Sequence, residues 1–385
     1  MDQLRPYRLL AAAVALCLTA GPGLVQAQSK PPAQGTAGQA DPLAGLKAEA
    51  AKGTALAMVA LGDAYARGTG VARDYAEAAA WYRKAADAGS AEGMAKLGAL
   101  YGMGVGVPQD DQQAAAWSRK AAEAGHGASM NAVGWQYYQG KGVAQDYAQA
   151  AVWYRKAADN GVADAMFYLG VMHAGGQGVP RDYAQAAVWY RKAAEAGIPE
   201  AMVALGQLCE NGQGIARDSV QAVAWYRKAA DLGQATAMVS LGFMYDKGQG
   251  VAQDFGQAAA WYKKAADLGQ AAAMVNLGFM YDKGQGVPED LAQAVAWYRK
   301  AADLGNVTAM LNLSVMENRG RGVPRNAVEA YKWLILAAAR ASGADQPKYA
   351  DERDKFAATM EPAEIAQAQQ LAAAWLAAFN LRSKK

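Results

Sequence analysis

The sequence predicts an all-α fold, an α/α solenoid of about eight 36-residue helix-turn-helix repeats with N- and C-terminal capping helices. Three observations predict it. Trp81, Trp117, Trp153, Trp189, Trp225, Trp261, Trp297 and Trp333 follow one another at a constant step of 36 residues, and such a period means one supersecondary unit stacked many times. In the clearest copy, residues 237–269, Met238, Leu241, Gly242 and Tyr245 fall at i, i+3, i+4 and i+7, one face of a first helix. Further on, Ala258, Trp261 and Ala265 share a face of a second helix, with a glycine-rich turn between the two.

At the N-terminus, Arg5 and Arg8 precede an apolar run from Leu9 to Ala20, then Gly21-Pro22-Gly23 and Val25-Gln26-Ala27. This reads as a secretory signal peptide over 1–27, cleaved after Ala27. The run is well short of the roughly 20 apolar residues that cross a bilayer, so no integral span is expected after cleavage. Leu16 before Cys17 argues against a lipoprotein. Cleavage removes Cys17 and leaves Cys209 alone, so packing rather than a disulfide must hold the exported chain. Residues 28–42 are expected to be a disordered leader, and 43–53 a degenerate half-repeat capping the first full one. The full repeats occupy 54–341, and 342–385 supply the C-terminal capping helices.

Within a repeat, Met58, Met94, Met130, Met166, Met202, Met238, Met274 and Met310 form a column that reads as core rather than as a metal or cofactor stripe. Glycine in mid-helix costs roughly 1 kcal/mol against alanine. Its recurrence from Gly62 to Gly278, with only Ser314 departing, therefore implies a helix crossing too closely for a Cβ. Gly248 closes the first helix, and the pair Gly248 and Gly250 reads as turn geometry, not a phosphate cradle, since it follows a helix and lacks the Lys-Ser/Thr. Asp254 with Gln257 reads as a capping box opening the second helix. Lys263 with Asp267, like Arg83 with Asp87, sits at i, i+4 as a solvated pair.

Lys plus Arg (38) nearly balances Asp plus Glu (35), spread evenly over the repeats. That excludes the basic patch a nucleic-acid partner needs. His126 and His173 are the only histidines. His126 is expected to be exposed at a turn, and His173 occupies the Tyr245 column one repeat before Cys209. Three or four ligands are needed for a metal, so no metal, cofactor or catalytic residue is expected.

The non-recurrent positions report on the surface. The face opposite Met238 and Leu241 is expected to carry positions 240, 243, 244 and 247 and their equivalents. There Trp135, Tyr168, Phe243, Asn276, Phe279 and Asn312 combine rings and amides suited to peptide recognition. The alternative is that these columns pack against the next repeat, and exposure of Phe243 and Phe279 discriminates between the two. Repeats six and seven are nearly identical, which suits an elongated or repetitive ligand.

The string Met-x-x-Leu-Gly-x-x-Tyr, Gly-x-Gly-Val-x-x-Asp, Ala-x-x-Trp-Tyr-Arg-Lys-Ala-Ala resembles the Sel1-like repeat, a relative of the tetratricopeptide repeat, over roughly 54–341. The resemblance implies a right-handed superhelical solenoid acting as adaptor or scaffold in bacterial envelope processes, signalling or host contact. In the tail, Met360 to Ile365 start a helix running through Ala368, Leu371 and Trp375 that looks like the family's closing helices. A cysteine-rich branch of exported Sel1-like proteins is associated with β-lactam binding. This chain lacks the cysteine pairs, and it has no Ser-x-x-Lys or Gly-x-Ser-x-Gly. The expectation is an exported, periplasmic or secreted, non-catalytic scaffold that binds a protein or peptide on its concave face. The alternatives are a secreted host-interacting factor and, more distantly, a β-lactam-binding or hydrolysing protein.

Overall fold

The computed structural model describes residues 41–383 apart from Ala344. The expected signal peptide and residues 28–40 of the expected leader lie outside the described residues. Among the described residues there are nineteen helices and no strand, the all-α solenoid arrangement of consecutive helix pairs. They fall into two compact units, up to Ile198 and from Pro199 onward. The first unit holds α1 (Ala44–Ala51) and the pairs α2 (Ala55–Arg67) with α3 (Tyr75–Asp87), α4 (Ala91–Met103) with α5 (Asp111–Glu123), α6 (Gly127–Gln139) with α7 (Tyr147–Asp159) and α8 (Ala163–Gly175) with α9 (Tyr183–Glu195). The second holds α10 (Pro199–Asn211) with α11 (Ser219–Asp231), α12 (Ala235–Lys247) with α13 (Phe255–Asp267), α14 (Ala271–Lys283) with α15 (Leu291–Asp303) and α16 (Val307–Arg319) with α17 (Ala327–Arg340), then α18 (Asp345–Ala357) and α19 (Pro362–Ser383). Within each unit every second helix packs on the first helix of its own repeat and of the next.

The mid-helix glycines have a more specific cause than a crossing helix. A Cβ on Gly242 would lie 2.5 Å from the ring of Tyr262, and Gly62, Gly134, Gly170, Gly206 and Gly278 each meet the equivalent tyrosine of their own second helix. These rings are buried, Tyr154 and Tyr226 completely. Where the tyrosine is absent the neighbours adjust. Ser118 takes its place opposite Gly98, where the Ala114 carbonyl comes within 3.2 Å of a built Cβ, and Leu334 stands in the repeat whose glycine is Ser314.

The turns follow the glycine chemistry. Gly248, at φ 65°, is left-handed and closes α12 by donating to the Met244 carbonyl. Gly250, at φ 70°, does something different: a Cβ there would overlap the carbonyl of Ser219 at the start of the preceding repeat's second helix. The second glycine is thus where one repeat rests on another. Asp254 then accepts from Gln257 N at 2.9 Å, as expected of an N-cap. The reciprocal half of the capping box does not form, because the Asp254 N–H is already taken by the Tyr245 carbonyl at 3.0 Å. The returning loop satisfies that donor before a glutamine side chain reaches it.

The Trp column packs between repeats. Trp117, Trp153, Trp189, Trp297 and Trp333 are buried, whereas Trp81, Trp225 and Trp261 are half-buried. A lysine ammonium covers each ring, from 3.9 Å (Lys84 on Trp81) to 4.5 Å (Lys192 on Trp189). A cation from the preceding repeat adds to this on three of them: Arg83 on Trp117, Arg155 on Trp189 and Lys263 on Trp297. Lys263 pairs with Asp267 as expected, at 2.7 Å. Arg83 instead donates to the Tyr101 hydroxyl at 2.7 Å in the next repeat, and Arg227 to Tyr245 at 2.5 Å. An arginine can bond an acceptor and lie on a ring at once, so Arg83 joins two repeats where a surface ion pair with Asp87 was expected.

The first unit contains a polar fault in this packing. Ser118, Ser129, Asn131 and Gln136 are buried together with the second and third repeats' apolar core, and Gln136 donates to Ser118 at 3.3 Å. Asn131 Oδ1 finds no partner, in a column that elsewhere reads Val59, Ala95, Phe167, Val203, Val239, Val275 and Leu311. An unsatisfied buried acceptor costs about 1–3 kcal/mol, so Asn131→Val is expected to stabilise the chain by about 1–2 kcal/mol. Urea unfolding checks this, and an unchanged or lowered midpoint refutes it.

The ends are covered as the sequence leads one to expect, with one change. Leu43, 6% exposed, seals Ala57, Leu61 and Ala64 at the N-terminal side. At the other end α18 and α19 both pack on α17. The buried face of α19 runs through Ile365, Ala368, Ala372, Trp375 and Phe379, and Leu371 points outward. Trp375 donates to Asp303 at 3.3 Å, and Arg340 lies 4.2 Å from the centre of the Phe379 ring. No helix among the described residues is long and apolar enough to cross a membrane.

Candidate functional site

The first helices leave little surface. On α12, Ala237, Met238, Leu241, Gly242 and Met244 are all buried. Position 244, expected on the open face, is core in every repeat: Ala64, Leu100, Gln136, Met172, Leu208, Met244, Met280 and Met316 are all buried. The helix is enclosed by its own partner and by neighbouring repeats, so only a narrow ridge at 236, 243 and 247 stays exposed.

The 240 column works as a joint between repeats. Asn276 and Ser240 are half-buried at this register, close to the tyrosines Tyr262 and Tyr226 of the preceding repeat. Tyr168 stacks on Tyr154 with centroids 5.0 Å apart, and Lys96 pairs with Asp63 at 3.0 Å. Asn312 is half-buried at the same register. Trp135, in the 243 column, is 7% exposed and belongs to the core around Val133 and Trp153, so it offers no surface to a partner. Two residues of the proposed set do face outward: Phe243 is 39% exposed and Phe279 47%, and Val315 at the same register in the next repeat is 46% exposed.

In the second unit these three make a row along consecutive repeats, α12, α14 and α16. A basic column flanks it. Lys247 lies 6.0 Å from the Phe243 ring and Lys283 5.9 Å from that of Phe279, each also beside an acid, Asp246 at 2.9 Å and Asp282 at 3.0 Å. In the eighth repeat the acid becomes Asn318 and the lysine Arg319.

The row ends at a cavity of about 550 Å³ between α16, α17 and α18. Leu311, Val315, Leu334 and Phe356 give it apolar walls, and Arg319, Arg325, Glu352 and Lys355 stand among its remaining lining. Sequence reasoning missed it because one wall, Phe356, comes from a helix outside the repeats. The stacking of Phe356 on Tyr331 at 6.0 Å holds that wall in place.

His126 is half-buried rather than exposed, and its Nδ1 accepts from Ser129 N at 3.2 Å as the N-cap of α6. Burial pushes its pKa below the usual histidine range, which keeps that nitrogen free to accept. His173 lies in the first unit and Cys209, buried, in the second. No group of three metal-ligating residues occurs among the described residues.

The Sel1 repeat signature matches the chain eight times in succession, at residues 55–90, 91–126, 127–162, 163–198, 199–234, 235–270, 271–306 and 307–342. Among solved structures, a Sel1 repeat protein from Oxalobacter formigenes is 32% identical, with 80% of this chain and 89% of that one covered and a TM-score of 0.64. A protective antigen of uropathogenic Escherichia coli displaying the same repeat fold, c5321, is 30% identical over 86% of each chain, with a TM-score of 0.48. No curated protein matches. Eight consecutive in-register matches, on helix pairs whose glycine, tyrosine and tryptophan columns recur in the packing, place the chain in the Sel1 repeat family.

Proposed function

We propose that this chain is an exported, non-catalytic scaffold that binds a protein or peptide partner along the row Phe243, Phe279 and Val315. Sel1 repeat proteins are generally non-catalytic scaffolds, and the fold is typical of protein-protein interaction. The observation that carries the site is the exposure of large apolar side chains at one register of three consecutive repeats. Apolar residues scattered singly need no explanation, but an aligned set marks an interaction surface. The near-identity of repeats six and seven supports an elongated ligand rather than a point contact. Export is supported by the charged start, short apolar run and Ala27 cleavage pattern of residues 1–27.

The test is affinity capture from an envelope extract with residues 28–385, comparing the natural chain with Phe243→Ala/Phe279→Ala. Both side chains are exposed, so the fold should change by no more than about 0.5 kcal/mol each. Loss of a captured partner is the expected result, and an unchanged capture profile sinks the row as the binding site. Cell fractionation tests export separately. A periplasmic chain lacking residues 1–27 is expected, recovery in the medium points to a secreted factor, and an uncleaved cytoplasmic chain refutes export.

A further inference from the structure

Resting on the reading of the Phe243 row as a binding surface, we infer that the row ends in a clamp for an acidic peptide segment, an apolar side chain entering the cavity while a nearby carboxylate meets Arg319 and Arg325. Two columns change character together in the eighth repeat. Where the preceding two repeats place Asp246 and Asp282 beside the flanking cation, the eighth has Asn318. Where they have Gln253 and Glu289, it has Arg325. The acid that accompanies the flanking lysine in each of those two repeats is thus withdrawn and a second guanidinium is added, so that the cavity lining holds Arg319, Arg325 and Lys355 against the single carboxylate of Glu352. Neither Arg319 nor Arg325 makes an ion pair among the described residues.

The two arginines and the apolar walls of Phe356 and Leu334 line one cavity, at the end of the exposed row. A guanidinium recognises a carboxylate by paired N–H donation, and the apolar lining favours a Leu- or Phe-sized side chain beside it. Charge complementarity therefore selects a peptide that alternates apolar and acidic residues over a neutral or basic one.

The test uses the full chain and a fluorescein-labelled peptide of alternating Glu with Phe and Leu, amidated at its end, against its twin with every Glu replaced by Gln. In fluorescence anisotropy at roughly 50 mM salt, where exposed charges are weakly screened, the acidic peptide is expected to bind about tenfold tighter. Arg319→Gln/Arg325→Gln should remove that preference. Arg73→Gln/Arg181→Gln, in the same column as Arg325 but in the first unit, should leave it intact. A preference that survives Arg319→Gln/Arg325→Gln, or is lost equally in the first-unit variant, overturns the clamp. Equal binding of both peptides, weakened by Phe243→Ala/Phe279→Ala, also overturns the clamp but leaves the apolar row standing. Failure of both peptides to bind overturns the inference, and the envelope capture then remains the separate judge of the row.

Discussion

Gly250→Ala is expected to destabilise the second unit by about 3 kcal/mol or more, although it adds a single methyl group at a turn. Two effects combine. A left-handed backbone costs an L-residue roughly 1–2 kcal/mol, and inserting an atom into a closed contact typically adds about 1–3 kcal/mol. The contact in question is the Ser219 carbonyl at the start of α11, which is backbone and cannot rotate away. Relief therefore requires that neighbouring repeats separate. Chemical denaturation should show a lowered midpoint, and limited proteolysis should gain a cut near residue 250. Gly269→Ala is the control, since its φ of 86° is equally left-handed while its Cβ would meet open space. If the two variants lose the same stability, the inter-repeat contact is irrelevant.

Tyr226→Ala is expected to lose about 4 kcal/mol, in the range found for deleting a fully buried aromatic ring. The ring is completely buried, lies across Gly206, and donates its hydroxyl to Glu210 at 2.7 Å. Removal opens a cavity between α10 and α11 and strands the Glu210 carboxylate without that donor. Tyr226→Phe keeps the ring and should lose only about 1 kcal/mol, the net worth of one hydrogen bond. Urea titration of both variants separates packing from bonding. Equal losses would show that the hydroxyl, not the ring, holds the pair together.

The glycine opposite each tyrosine shows how far periodicity reads into the packing. A mid-helix glycine at one register from Gly62 to Gly278 announces a close neighbour, and the neighbour's existence follows from sequence alone. Its identity does not, because Trp and Tyr adjoin in the second helix and either ring is large enough. The 244 column differs from its expected place on the open face, and its composition carries the reason. Leu100, Met172, Leu208, Met244, Met280 and Met316 recur as apolar residues, and recurrence in a stacked fold marks core. An isolated-helix wheel assigns that position outward because it knows of one packing partner, whereas the helix has several.

The candidate site divides along the same line. Phe243 and Phe279 stand out as rings where other repeats hold Asp63, Ala99 or Gln207, and the structure leaves them exposed. Trp135 stands at the same register and is buried, and Asn276 is half-buried against the repeat before, close to Tyr262. A register position specifies a direction from one helix axis. Whether that direction is open depends on side chains one repeat away.

Repeat number follows from the constant 36-residue step, and helix limits, caps and turn glycines from neighbouring residues within one repeat, so the amino-acid string alone is enough to decide them. The side chain that covers each mid-helix glycine, the repeat-to-repeat bonds of Arg83 and Arg227, and the cavity walled by Phe356 required the folded chain. They join residues 16 or more positions apart, or bring a non-repeating helix onto the last repeat. Local periodicity carries no information about which of several similar side chains will fill a given space once the helices stack.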